Sequence, residues 1–149
     1  MTRPIPKGFH TLTPHITVKD APAAIEFYAK AFGAKELRRH EMMGKVSHAD
    51  VQIGDSIVML NDEFSEQGVS APSGDGPGFR INIYVEDADA VFQRAVDAGV
   101  EVVFPLADMF WGDRYGMVKC PLGYHWSIAT RKEDLSAEEI EERSKQAFA

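Results

Sequence analysis

Hydrophobic and polar residues alternate in two segments of the chain that share one pattern. The first covers residues 14–18 and the second residues 81–85, which repeat the first 67 positions later. An alternation with a period of two predicts a strand, and the aspartates that follow, Asp20 and Asp87, are typical residues for the start of a helix. The sequence therefore predicts two copies of a strand followed by a helix. This separation is too long for a solenoid repeat and fits two half-domains of one fold.

The first copy predicts a β-α-β-β-β module over residues 8–61. Its helix begins at Asp20 and ends at Phe32, because Gly33 is the kind of residue that closes a helix in a left-handed conformation. The predicted strands cover residues 11–18, 34–40, 46–53 and 56–61. Four apolar side chains form the stripe that we expect this helix to bury, namely Ile25, Phe27, Tyr28 and Phe32.

The second copy predicts the same order of elements over residues 80–131. A strand is followed by a helix that ends before Gly99. The predicted strands cover residues 80–85, 101–104, 114–119 and 124–129, and the last two form a hairpin. Residues 106–111 are expected to be a loop or a short strand, with Phe110 and Trp111 exposed at its end.

Two segments lie outside the modules. Residues 62–79 are rich in Gly, Ser and Pro, which predicts a linker between the modules that could also fold over a site. Residues 134–149 predict a terminal helix, because Ser136 and Glu139 have the spacing of a capping box. This helix has few apolar residues, so we expect it to lie at the periphery or at a dimer contact.

Composition narrows the class of protein. The 149 residues are 44% hydrophobic and 26% charged, as expected for one globular domain with two modules. A net charge of −7 argues against a nucleic-acid partner, because phosphates require a basic surface. No apolar run approaches the roughly 18 residues that span a membrane. A single cysteine, Cys120, and a first segment without the apolar core of a signal peptide predict a cytoplasmic protein.

A set of short motifs accompanies this order of elements. They are His15-x-x-Val18-x-Asp20, Phe27-Tyr28-x-x-x-Phe32-Gly33, Gly44-Lys45-Val46-x-His48-Ala49, Gln52-Ile53-Gly54-Asp55-Ser56, Trp111-Gly112-Asp113-Arg114, Pro121-Leu122-Gly123-Tyr124 and Trp126-Ser127-Ile128-Ala129-Thr130. Together they resemble the vicinal oxygen chelate superfamily over roughly residues 8–131, and especially its PhnB-like, glyoxalase/bleomycin resistance branch. The resemblance implies an α+β fold in which two tandem βαβββ modules form a pseudo-twofold half-barrel. By analogy it also implies a homodimer.

The resemblance implies only part of a metal site. Metal-using members of the superfamily place a His or Gln on the first strand of a module and a Glu on the last, and the ion acts as a Lewis acid. His15 matches the first of these positions, but Asn82 occupies its counterpart in the second module. Ser127 stands where the last strand of the second module would carry Glu, and residues 57–61 contain no carboxylate. We therefore expect no complete metal site, with His15 as the one candidate ligand.

Aromatic residues are the strongest sign of a ligand in the second half of the chain. Tyr84, Phe110, Trp111 and Tyr115 could stack on an apolar or planar molecule, although ordinary packing is the alternative. Arg114 beside Asp113 would form a surface ion pair, or would bind a carboxylate or phosphate if it lined a pocket.

Histidines supply the second set of candidates. His48 and Asp50 share one face of a strand, so Asp50 could orient the imidazole for base chemistry; a solvated strand face or a dimer contact is the alternative. His125 shares a face with Ser127, which would allow His15, His48 and His125 to form an unusual cluster. His15 itself could line a pocket or pair with a backbone carbonyl.

These features predict a protein that binds a small apolar or aromatic molecule in an aromatic-lined cleft, without a cofactor. The predicted ligand-binding residues are His15, His48, Asn82, Tyr84, Phe110, Trp111, Arg114, Tyr115, His125 and Ser127. The alternative is a divalent-metal-dependent lyase, isomerase or dioxygenase of the glyoxalase type, which would require Glu63 or Asp50 to face the same cavity as His15. A purely structural role in an assembly is the third hypothesis.

Overall fold

The computed structural model describes residues 4–74 and 76–147. The chain forms two compact units, one ending at Gly76 and the other beginning at Pro77. Each unit contains one four-stranded sheet and a helix in the order β-α-β-β-β, and a further helix follows in the second unit. The predicted α+β class and the two tandem modules are confirmed.

The first unit contains four strands and one α-helix. Its elements are β1 (His15–Val18), α1 (Ala21–Phe32), β2 (Lys35–Met42), β3 (Lys45–Ile53) and β4 (Ser56–Asp62), followed by one turn of 3-10 helix (Ser65–Gln67). The sheet order is β1-β4-β3-β2, in which β1 is parallel to β4 and the other pairs are antiparallel. Strand β2 is therefore an edge strand, and each of its eight residues is exposed.

The second unit repeats this topology. Its elements are β5 (Arg80–Tyr84), α2 (Ala88–Ala98), β6 (Glu101–Asp108), β7 (Asp113–Lys119), β8 (His125–Arg131) and α3 (Ala137–Ala147). The sheet order is β5-β8-β7-β6, with β5 parallel to β8. None of the helices in the described ranges combines the length and the hydropathy needed to cross a membrane.

The predicted helix ends are confirmed. The carboxylate of Asp20 accepts the backbone N–H of Ala23 at 3.0 Å, which satisfies a donor that the first turn of α1 leaves open. Gly33 closes the same helix at φ = 69°, a left-handed conformation that favours glycine. The second module uses Asp87 and Gly99 in the same way. In the predicted capping box, the Ser136 hydroxyl accepts the N–H at residue 139 at 3.1 Å.

Four local expectations need correction. Strand β1 begins at residue 15 and not at residue 11. Phe27 is only half-buried, whereas small residues such as Ala24 complete the buried face of α1. Strand β6 continues through Asp108 because two register shifts accommodate the segment around Pro105 at the edge of the sheet. Phe110 and Trp111 lie after that strand and are half-buried instead of exposed.

Candidate functional site

One surface of the first sheet is polar, and we call it the histidine face. Side chains alternate across a strand, so the buried residues Ile16 and Leu60 face α1 while their neighbours project from the opposite surface. The register aligns one row of residues across that surface. The histidine face consists of this row, His15, Met59, Asp50 and Arg38, together with the adjacent Asn61 and His48.

Asn61 fixes the first imidazole of this face. Its Nδ2 atom donates to the carbonyl oxygen of Asp62 at 2.7 Å, and a carbonyl can only accept, so Oδ1 is the atom that points to His15. The Nε2 atom of His15 lies 2.9 Å from this Oδ1. Because Oδ1 also can only accept, Nε2 of His15 carries the hydrogen. The neutral ring therefore keeps its lone pair on Nδ1.

Asp50 fixes the second imidazole in the same way. Its Oδ1 atom lies 2.7 Å from Nε2 of His48, and its Oδ2 atom accepts Nε of Arg38 at 2.9 Å. The Asp50 side chain is 4% exposed, while that of His48 is 23% exposed and can meet a ligand. The predicted His48–Asp50 pair is therefore present, and Arg38 extends it. The rings of His15 and His48 lie edge to face, with centroids 5.5 Å apart.

The donors of the histidine face do not form the metal site that the superfamily resemblance would require. Nε2 of His15 is bound to an amide oxygen, and Asp50 is bound to His48 and Arg38. Glu63 accepts the N–H of Ala71 and holds the linker. Across residues 4–74 and 76–147, no three His, Cys, Asp or Glu side chains converge in a metal-binding arrangement. The donor set thus fits hydrogen bonding better than ion coordination.

The second unit carries a connected set of four aromatic side chains, which we call the aromatic group. The rings of Phe110 and Trp111 have centroids 5.1 Å apart and are perpendicular. Trp111 then meets Tyr115 at 5.4 Å, and Tyr115 meets Phe104 at 6.3 Å. Edge-to-face contacts of this kind are favourable because the positive edge of one ring meets the negative face of the next.

Polar contacts hold the aromatic group in place. Asp113 is only 7% exposed, and its Oδ2 atom accepts Nε1 of Trp111 at 3.0 Å and the hydroxyl of Tyr84 at 3.4 Å. The hydroxyls of Tyr115 and Ser127 lie 2.8 Å apart. Asp113 thus joins Trp111 to Tyr84, and a ring contact joins Trp111 to Tyr115. All three aromatic residues were predicted from the sequence. The arrangement presents apolar ring surface with hydroxyl groups at its border.

Arg114 lies on the other side of strand β7. Its guanidinium donates to Asp89 of α2 at 2.9 Å and to Asp108 at 3.4 Å, instead of pairing with Asp113. The hydrogen bond with Asp89 is the main cause that raises the pKa of Arg114, and the same bond lowers the pKa of Asp89. These contacts agree with the surface ion pair that the sequence allowed, although its partners differ.

Two further candidates, Asn82 and His125, lie on strands β5 and β8 of the second sheet. Asn82 is paired in register with Ser127, so these positions are adjacent as the module order predicts. His125 is paired in register with Arg80 on one side and Lys119 on the other, and it is half-buried. A cluster of His15, His48 and His125 would draw on both units and stays a prediction.

Five residues on or beside these two surfaces were not predicted from the sequence. Met59 lies in the row of the histidine face, Asn61 and Arg38 organise the histidines, Phe104 belongs to the aromatic group and Asp113 supports it. The sequence of β4 gives no signal for Asn61, because the four residues before it are all apolar and do not alternate with polar ones. Arg38 and Phe104 depend on the registers of irregular strands, for which a single sequence carries no signal.

Known proteins resemble this chain in fold and, to different degrees, in sequence. The profile of the Glyoxalase/Bleomycin resistance protein/Dioxygenase superfamily matches residues 8–128. An uncharacterised Mycobacterium bovis protein is 43% identical over 135 residues, which cover 87% of this chain and 89% of the relative. An Arabidopsis thaliana gene product of known structure is 28% identical with a TM-score of 0.68, covering 81% of this chain and 98% of its own. A PhnB protein from Bacillus cereus is 18% identical and shares the fold with a TM-score of 0.63, covering 81% and 99%.

The chain therefore belongs to the Glyoxalase/Bleomycin resistance protein/Dioxygenase superfamily, and the resemblance seen in its motifs is confirmed. The Bacillus cereus structure, at 18% identity, shows that the fold is shared. Membership defines the fold and the class of protein. Membership does not by itself define a reaction or a ligand.

Proposed function

We propose that this protein binds a planar, mostly apolar organic molecule against the aromatic group of the second unit. The observation that carries the proposal is the continuous run of ring contacts from Phe110 through Trp111 to Tyr115. These rings are half-buried and not sealed in the core, so part of their surface is open to a ligand. Rings that are already fixed lose little conformational entropy when a flat molecule stacks on them.

The chemistry of the border defines the ligand further. The hydroxyl of Tyr115 can donate or accept, whereas its partner Ser127 is buried, and the indole N–H of Trp111 is already used by Asp113. The rings lie beside one carboxylate, that of Asp113, and the guanidinium of Arg114 is held by Asp89 and Asp108. A neutral ligand is therefore favoured over an anion. The proposal needs no metal ion. The hydroxyls of Tyr115 and Ser127 bind each other, and the carboxylate of Asp113 binds Trp111 and Tyr84.

Nile red, a neutral planar dye that brightens in apolar surroundings, tests this proposal. We expect Trp111→Ala to weaken dye binding at least tenfold, equivalent to about 1.4 kcal/mol. Phe79→Ala is the matched control, because Phe79 is an exposed aromatic residue of the same unit that contacts Tyr124 outside the aromatic group. Equal losses in the two variants, with circular dichroism unchanged, would contradict the proposal and favour a nonspecific surface.

The two tryptophans allow the bound position to be checked. Trp126 is 1% exposed in the core of β8, whereas Trp111 belongs to the aromatic group. In Trp126→Phe the remaining indole should be quenched strongly by bound dye, and in Trp111→Phe the remaining indole should respond much less. No saturable dye binding in the wild-type protein would leave a structural role in an assembly as the better hypothesis.

We further propose that the protein is a cytoplasmic homodimer. Both sheets have long edge strands, β2 and β6, and a symmetric partner is a common way to cover such edges. Light scattering at micromolar concentration tests the dimer, since a monomeric mass across the concentration range would exclude it. Fractionation of cells that express the native gene tests the location.

A further inference from the structure

We propose that residues 132–147, which include helix α3, form a strap that positions Trp111 and thereby regulates ligand binding at the aromatic group. The strap lies beyond residues 8–128, which match the superfamily profile, so membership of the superfamily does not define it. Its effect on ligand affinity rests on the proposed function. Its effect on the position of Trp111 does not, and can be measured without any ligand.

The strap begins where the pairing of β7 with β8 ends. These strands are paired as far as Asp113. Beyond that point the backbone N–H groups of Lys132 and Glu133 both donate to the carbonyl oxygen of Gly112, at 2.9 and 3.1 Å. Gly112 lies between Trp111 and Asp113, which accepts the indole N–H. The strap therefore holds the turn that carries both the indole and its acceptor.

Gly112 allows the strap to approach the turn closely. Its φ of 98° is a positive value that glycine adopts without strain. A Cβ atom at this position would lie 2.9 Å from the carbonyl oxygen of Glu133 and 3.3 Å from Cδ1 of Leu135. Turn and strap are thus in backbone contact, and a displacement of the strap removes the support of the turn.

One ion pair attaches α3 to the start of the strap. The guanidinium of Arg143 donates to both carboxylate oxygens of Glu133, from Nη1 at 2.7 Å and from Nη2 at 3.2 Å. A contact through two parallel hydrogen bonds fixes the orientation of both side chains. Because Glu133 is also the residue whose backbone meets Gly112, the ion pair connects α3 to the turn of Trp111.

The attachment of α3 is weak enough to be reversible. No residue of α3 is buried, and the side chains of Arg143 and Glu133 are 41% and 47% exposed. A helix of 11 residues is only marginally stable in water when it stands alone. The helix therefore depends on its contact with Glu133, and it can detach while the sheet stays folded.

Attachment of the strap favours ligand binding, because it fixes Trp111 in advance. A ligand that binds the detached form has to order the indole itself, and this cost lowers its affinity. The coupling is reciprocal, so a ligand on the aromatic group also stabilises the attached form of α3. Salt screens an exposed ion pair, so high ionic strength should detach the strap and weaken binding.

The test replaces the ion pair by two like charges in Arg143→Glu. In a Trp126→Phe background without dye, we expect the emission of Trp111 to shift to longer wavelength. The affinity for Nile red should fall about fivefold. Combining Arg143→Glu with Glu133→Arg restores opposite charges and should restore both properties. Asp134→Ala is the matched control, because Asp134 pairs with Arg131 at 2.6 Å and not with α3.

The outcomes separate the strap from the proposed function. The same emission of Trp111 with and without Arg143→Glu would overturn the strap, whether or not dye binds. A shifted emission with unchanged dye affinity would overturn its regulatory role, and so would a failure of the exchanged charges to restore binding. Absence of dye binding in the wild-type protein would contradict the proposed function and the regulation of affinity, whereas the emission would still decide whether the strap positions Trp111.

A substitution within α3 tests the helix apart from the ion pair. Glu141→Pro interrupts the helix but keeps Glu133 and Arg143. We expect it to shift the emission of Trp111 as Arg143→Glu does, whereas Glu141→Ala keeps the helix and should not. Nile red should also slow hydrogen exchange of the α3 amides in the wild-type protein. Equal exchange with and without bound dye would contradict the coupling.

Discussion

Asp62 at the end of β4 accepts the backbone N–H of Ala21, the first residue of α1, at 2.6 Å. The other oxygen of the same carboxylate accepts the N–H of Val46 at 2.8 Å. In the second module Thr130 at the end of β8 accepts the N–H of Ala88, the first residue of α2, at 2.8 Å. Both modules thus attach the start of their helix to the last strand of their sheet, through side chains of different charge.

Removal of the Asp62 carboxylate should destabilise the protein strongly. Asp62→Ala leaves two buried N–H groups without an acceptor, and each such group costs roughly 1–3 kcal/mol. We therefore expect a loss of about 2–6 kcal/mol in the free energy of unfolding, measured with urea. Asp62→Asn retains one acceptor and should lose less. A loss below about 1 kcal/mol in Asp62→Ala would show that water replaces the carboxylate.

The equivalent contact in the second module should be worth less. Thr130→Val removes the acceptor for Ala88 and the donor to the carbonyl of Val85, while the shape of the side chain is kept. We expect a loss of about 1–3 kcal/mol in urea unfolding. Thr130→Ser is the matched control, because it retains the hydroxyl and should stay within about 1 kcal/mol of the wild-type protein.

Gly116 is required by the close approach of α2 to strand β7. A Cβ atom at this position would lie 2.6 Å from Cε2 of Phe92 and 3.1 Å from the carbonyl oxygen of Phe104. We expect Gly116→Ala to cost about 1–3 kcal/mol through overpacking, as measured by thermal or urea unfolding. Gly78→Ala is the control, since a Cβ there meets no atom within 4 Å.

A second substitution separates the two contacts of Gly116. Phe92→Leu removes the ring edge but leaves the carbonyl of Phe104 in place. The variant with both Gly116→Ala and Phe92→Leu should therefore be more stable than the sum of the two single changes predicts. The reason is that the clash of the new Cβ atom with the ring of Phe92 is gone. Additive losses in the double-mutant cycle would mean that the backbone carbonyl, and not the ring of Phe92, limits the space.

The ion pair of Asp89 and Arg114 should give a small pH dependence of stability. The hydrogen bond from Arg114 lowers the pKa of Asp89 in the folded protein. The resulting stabilisation is present above the ordinary pKa of an aspartate, about 3.9, and is lost as the pH falls through the lower, folded value. Arg114→Gln should thus be less stable than the wild-type protein at neutral pH, and the difference should disappear in acid.

Carbon NMR of the Asp89 carboxyl measures the cause directly. The pKa of Asp89 should rise in Arg114→Gln towards that of an unpaired aspartate. Asp108→Asn is the comparison, because Asp108 is the weaker partner of Arg114 at 3.4 Å and its removal should leave the titration of Asp89 low. An unchanged titration in Arg114→Gln would mean that the ion pair is not formed in solution.

Asp113 should control the position of Trp111. Asp113→Ala removes the acceptor of the indole N–H and of the Tyr84 hydroxyl, so we expect a loss of about 1–3 kcal/mol in urea unfolding. The emission of Trp111, read in a Trp126→Phe background, should shift to longer wavelength as the indole becomes more mobile and hydrated. Asp113→Asn retains one acceptor and should show a smaller shift. Identical spectra for both variants would contradict this role.

Most of the fold could be predicted because its signals are local. Asp20 and Gly33 bound the first helix, and the equivalents in the second module repeat the pattern, so each element could be located from neighbouring residues alone. The parity of strand β3 also placed His48 beside Asp50, which the structure brings to 2.7 Å. Such pairs follow from a period of two, without knowledge of any partner strand.

The organisation of the two surfaces could not be predicted, because it depends on register. Arg38 reaches Asp50 only because β2 contains a register shift just before it. Asn61 meets His15 because β1 and β4 are parallel, and that pairing joins residues far apart in the chain. The partners of Arg114 were misassigned for the same reason, since Asp89 comes from α2 and not from the adjacent position.

The two edge strands differ in how well they resist the addition of a foreign strand. All residues of β2 are exposed, and most of them carry charge: Lys35, Glu36, Arg38, Arg39 and Glu41. Strand β6 instead exposes three consecutive apolar residues, Val102, Val103 and Phe104. Charged side chains discourage intermolecular sheet formation, whereas an apolar edge promotes it. Aggregation on heating should therefore begin at β6, and a lysine at Val103 should delay it more than any charge added to β2.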